Sequence, residues 1–146
     1  MRPLAPLALV AAALAPLAAG CGDARWKPSS VARADARATV QTWLDACWRE
    51  NGEAALVPLT APEREVVLRG PGVLGGCEQV ARLTPEPRPS PARLKDVFTR
   101  ARVEAVKVDA GQGTATVRSP AGPPVELDLE LERGQWQLSH PQLPGR

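Results

Sequence analysis

Val125-Glu126-Leu127-Asp128-Leu129-Glu130-Leu131-Glu132 alternates apolar and acidic side chains without exception. A helix would scatter the carboxylates around its axis; a strand puts all of them on one face and the apolar residues on the other. The stretch therefore predicts a β-strand with one buried and one wet face, and its neighbours follow the same period. After the turn at Arg133-Gly134, residues 135–139 place Trp136 and Leu138 together. Upstream, Val106 and Val108 share a face of 103–109, and Ala115 and Val117 share a face of 114–119. Gly111-Gln112-Gly113 and Pro120-Ala121-Gly122-Pro123-Pro124 supply the turns. Consecutive hairpins of this kind make an antiparallel meander. Glu126, Asp128, Glu130 and Glu132 form a comb on the wet face, and with no acidic partner strand they read as a solvated face rather than a calcium site.

The N-terminal half has the other period. Val40, Trp43, Leu44, Cys47 and Trp48 fall on one apolar face of a helix over 31–51, stopped by Asn51-Gly52. A short helix over 53–57 follows. Thr60-Ala61-Pro62-Glu63 reads as a capping box opening a helix to Arg69. Gly70-Pro71-Gly72-Val73-Leu74-Gly75-Gly76 lacks the Lys of a phosphate loop and reads as a hinge loop, with a further helix over 76–83 carrying Cys77, Val80 and Ala81 inward. Proline at 85, 87, 89 and 91 predicts an extended connection. Residues 92–101 fit either a turn of helix or the start of a strand. Helices followed by a meander define an α+β domain, with the helix bearing Trp43 and Trp48 as the cover for the sheet.

The N-terminus carries a different message. Arg2 is followed by an uncharged Leu/Ala/Val/Pro stretch over 4–19, then Ala18-Ala19-Gly20 and Cys21. That order is the order of a secretory signal. Leu17-Ala18-Ala19-Gly20-Cys21 resembles the lipobox of bacterial lipoproteins, in which the Cys is lipidated and becomes the first mature residue. The resemblance implies a signal peptide over 1–20, palmitate-type acylation of Cys21, a tether over 21–30, and a location on the outer face of the cell membrane. A membrane span, interrupted here by Pro3, Pro6 and Pro16, and an unlipidated secreted protein are the alternatives. With Cys21 assigned to lipid, Cys47 and Cys77 remain as a pair. An oxidising compartment favours a disulfide, and two buried thiols are the alternative. A zinc site lacks ligands of the right spacing.

Without residues 1–20 the chain has one fewer basic side chain, Arg2, than the 18 of the full sequence, against 16 acidic ones. This near-neutral balance gives no electrostatic footprint for nucleic acid, and the length suits one domain. The lipobox, the Trp-bearing helix, the Cys placement and the closing Gly134-Gln135-Trp136-Gln137-Leu138 together resemble small actinobacterial lipoproteins of the nuclear transport factor 2-like superfamily. That resemblance covers 31–139, leaves a tail over 140–146, and implies a cone with a bent sheet wrapped around the long helix and a pocket at its open end. Trp43, Asp45 and Trp136 are the candidate pocket lining. An isomerase of this fold uses a carboxylate base with Tyr or protonated Asp donors. The chain has no Tyr and a single His, His140, beside Pro141. Asp45 and Asp96 are the available carboxylates, and a solvated position explains each as well. The reading is therefore a non-catalytic, cofactor-free and metal-free binding module for a protein partner or an apolar small molecule. An isomerase or hydratase using Asp45 or Asp96 is the alternative.

Overall fold

The computed structural model describes residues 29–84 and 89–139, so the signal, Cys21, Pro85, Pro87 and His140 lie outside the described residues. Five helices precede one sheet: α1 (Ser29–Trp48), α2 (Gly52–Leu56), α3 (Ala61–Arg69), α4 (Gly72–Ala81) and α5 (Pro91–Arg100). The strands are β1 (Arg102–Asp109), β2 (Gln112–Arg118), β3 (Val125–Glu132) and β4 (Gln135–Ser139). They pair antiparallel in the order β1-β2-β3-β4, the expected meander. The architecture is α+β. No helix among the described residues is long and apolar enough to cross a membrane.

The alternation in β3 holds at its centre and fails at its end, where Leu131 is exposed beside the acidic residues. Leu127 and Leu129 are buried beside Ala115 and Leu138, while Glu126, Glu130 and Glu132 are exposed. Two of the turns are two-residue loops in which both residues have positive φ, Ala110-Gly111 and Arg133-Gly134. That is the signature of type I′ turns, whose twist matches the flanking strands. The first hairpin thus turns one to two residues earlier than the expected Gly111-Gln112-Gly113. Gly113 instead lies within β2, where a Cβ would meet the Lys107 carbonyl at 2.8 Å.

Helix α1 lies against the inner face of the sheet and touches β1, β2 and β4. Its buried stripe is Ala36, Val40, Trp43, Leu44 and Cys47, all fully inaccessible. It ends three residues short of the expected Asn51. Asn51 N–H donates to the Ala46 carbonyl and Glu50 N–H to the Cys47 carbonyl, both at 3.0 Å, with Glu50 at φ 55°. This is a Schellman closure with a glutamate in the left-handed position that glycine usually fills. Asn51 then caps α2, its side chain accepting from Ala54 N–H at 3.3 Å.

Two further expectations are corrected and one open alternative is resolved. Residues 72–75, read as part of a hinge loop, form the first turn of α4, which also ends at Ala81 rather than 83. Glycine is a weak helix former, but here it permits close approach to α3, since a Cβ on Gly76 would lie 2.4 Å from the Val67 carbonyl oxygen. Residues 91–100 resolve as helix, with Leu94, Val97 and Phe98 buried at i, i+3 and i+4. The capping box at Thr60 does not form as drawn: its side chain makes no capping bond, and its N–H donates to the Leu138 carbonyl at 3.0 Å. Leu138 N–H in turn donates to Pro58 at 2.8 Å, so residues 58–60 cover the outer edge of β4 with a single parallel bridge.

Candidate binding surface

The inner side of the sheet is filled around Trp43. Trp43 has no accessible surface, and its ring meets Phe98 edge-on with centroids 6.3 Å apart and planes at 75°. Trp136 is buried from the sheet side. Trp43 Nε1 has no acceptor in reach among the described residues, a cost of about 1–3 kcal/mol that tight aromatic packing must offset. Trp43 and Trp136 are therefore core residues. Asp45 is half-buried at the end of α1, where its Oδ1 lies 3.5 Å from the Gln41 amide nitrogen. Asp96 is exposed on α5 and pairs with Arg100 one turn on, at 3.0 Å. Neither of the two concavities described below is lined by Trp43, Asp45 or Trp136. An aromatic residue in the middle of a helix's apolar stripe is first of all a core filler, and that explains the difference.

Cys47 and Cys77 are joined, with Cα atoms 6.1 Å apart, both fully buried. The bridge ties the last turn of α1 to α4 across a sequence separation of 30 residues. Among the described residues no group of three or more His, Cys, Asp or Glu is placed to hold a metal ion.

The larger described concavity lies elsewhere, on the sheet face turned away from the helices. It is an open basin of about 670 Å³ whose polar lining includes Lys107, Asp109, Gln112, Thr114, Asp128 and Glu130. Register builds it. Lys107 pairs with Thr114, Thr114 with Asp128, and Asp128 with Ser139, giving one row of polar side chains across all four strands. Asp109, Gln112, Glu130 and Gln137 make the next row. A smaller hollow of about 210 Å³ lies between the end of α4 and the sheet, with Val80, Ala81, Val125, Leu127 and Leu138 as apolar walls. Asp128 and Ser139 line both.

At the far corner of the same face Arg118 donates to Glu104, and this hydrogen bond, with the glutamate's charge, raises the guanidinium's pKa above its ordinary value. That cation is engaged within the sheet. The β3 comb was legible in the sequence. The contributions of Lys107, Asp109, Gln112 and Thr114 were not, because they depend on cross-strand register and on the hollow shape of the face.

Comparison with protein families, with characterised proteins and with solved structures gives no match to this chain.

Proposed function

We propose that this protein is an exported lipoprotein, held on the outer face of the cell membrane by acyl chains on Cys21, whose single domain is a non-catalytic binding module. In this reading residues 1–20 are the export signal, 21–30 the tether, and the domain a nuclear transport factor 2-like cone closed around α1. The observation that carries it is the Cys47–Cys77 bridge. It suits an oxidising compartment and leaves Cys21 as the one cysteine available for lipid. The cone reading is supported by α1 packing on the inner face of an antiparallel meander. Because the inner side of the sheet is filled around Trp43 and Phe98, a surface-bound partner fits better than an enclosed apolar ligand.

The test is metabolic labelling of the full chain with an alkyne-bearing fatty acid in a bacterial host. The expected result is label on the wild type in the membrane fraction and none on Cys21→Ser. A wild type without label, or label persisting on Cys21→Ser, overturns the anchor.

A further inference from the structure

We propose that the corner between α1 and α2 is a self-modification site: Asn51 deamidates through attack by the Gly52 nitrogen, and the docking of α2 gates the reaction. Asn51 is the single asparagine of the sequence, it is exposed, and glycine follows it, so no Cβ obstructs the attacking nitrogen. The Gly52 main-chain nitrogen gives up its proton to solvent hydroxide and bonds to the side-chain carbonyl carbon of Asn51. The side-chain nitrogen takes a proton from water and leaves as ammonia. Water then opens the cyclic imide at either carbonyl, giving aspartate or isoaspartate. The sum is amide plus water to acid plus ammonia, with nothing oxidised or reduced.

The fold holds the reacting atoms apart. Ring closure needs the Gly52 nitrogen eclipsed with the Asn51 Cβ about the Cα–C bond, and the Asn51 ψ of 90° turns that nitrogen to the far side. Hydrogen bonds fix this conformation. Asn51 N–H donates to the Ala46 carbonyl at 3.0 Å, the Asn51 carbonyl accepts from Ala55 N–H at 2.9 Å, and the side chain accepts from Ala54 N–H at 3.3 Å. The Cys47–Cys77 bridge anchors the preceding turn, and Gly52 abuts α4, where an added Cβ would lie 3.3 Å from the Val73 side chain. The gate is nevertheless light: α2 has five residues, of which Ala55 alone is buried. A segment with so little buried surface opens locally at a fraction of the global stability. Isoaspartate routes the main chain through the former side-chain methylene. The inserted atom pulls the Ala46 and Ala54 contacts out of register, so a transient opening of α2 becomes a permanent one.

The full-length protein in neutral detergent is incubated at mildly alkaline pH, with and without urea. Trypsin then releases Glu50–Arg64, in which Asn51 is the only side-chain amide, and its conversion is read by mass and by isoaspartate-specific methylation. The expected result is conversion in the folded protein at a rate at least about ten-fold below that in urea, since the reaction waits on local opening. Ala55→Gly loosens α2 at its buried contact and leaves the Asn51-Gly52 pair intact. It is expected to speed conversion of the folded protein about five-fold, the helix penalty of glycine against alanine, and to leave the rate in urea unchanged. Asn51→Ser keeps a capping oxygen and is expected to show no mass change in this peptide. The isoaspartate-bearing fraction is expected to unfold at a lower urea midpoint than the unconverted fraction. Equal rates with and without urea, no conversion in the folded protein, or an Ala55→Gly rate equal to wild type overturns the proposal.

Discussion

Gly70 and Gly76 meet backbone to backbone: a Cβ on Gly70 would lie 2.4 Å from the Gly76 Cα. The contact locks α3 against α4 at a separation that no larger residue allows. The obstructing atoms belong to main chain, so the structure cannot absorb a methyl group by rotating a side chain. Gly76→Ala is therefore expected to destabilise the domain by about 3 kcal/mol, at the upper end of ordinary overpacking. Urea denaturation followed by Trp fluorescence reads it, and a midpoint equal to wild type would refute the packing argument.

Arg37 guards the opposite edge of the fold. β1 is an edge strand with a bulge between Val103 and Ala105, and the Arg37 guanidinium reaches from α1 to donate to the Val103 carbonyl and, at 2.9 Å, to the Glu104 carbonyl. Bulges and charged side chains are standard protections against edge-to-edge pairing. Arg37→Ala is expected to cost about 1 kcal/mol and to increase self-association, measured by light scattering against concentration. A variant that is as monodisperse as wild type would show that Lys107 and the bulge suffice.

The helix stop at Glu50 offers a gain instead. Its φ of 55° costs an L-residue about 1–2 kcal/mol that glycine escapes, less glycine's greater entropy loss on folding. Glu50→Gly should stabilise the domain by about 0.5–1 kcal/mol, seen as a higher thermal midpoint. A lower midpoint would mean that the glutamate side chain contributes more than its backbone costs.

The bridge between Cys47 and Cys77 closes a loop of separation 30. The chain-entropy model assigns it about 3.5 kcal/mol. Replacing both cysteines by alanine should lower stability by about that amount, plus the packing lost from two fully buried sulfurs. Equal denaturation midpoints for the bridged and bridge-free proteins would contradict the role given to the disulfide.

How far the fold could be read in advance depended on which physical signal dominated each segment. Val125–Glu132 was legible residue by residue because period two has one structural meaning when it is unbroken. Gly72 and Gly75 misled because their low helix propensity hid the first turn of α4. The start of α5 was written in the chain: Ser90 accepts from Arg93 N–H at 3.4 Å and Pro91 sits in the first turn, the usual helix opening. The preceding run of prolines obscured it. Trp43 and Asp45 lie close together in α1, yet one is core and the other half-exposed, a distinction made by neighbours remote in sequence such as Phe98. The outer-face basin needed register and curvature, neither of which alternation alone supplies.

The central claim is export followed by anchoring at Cys21, and the intact mass of the protein recovered from bacterial membranes tests it most directly. The account predicts a chain beginning at Cys21 with added acyl mass and two hydrogens fewer than the reduced form. A chain that retains residues 1–20, or one that begins at Cys21 without acyl mass, would contradict it.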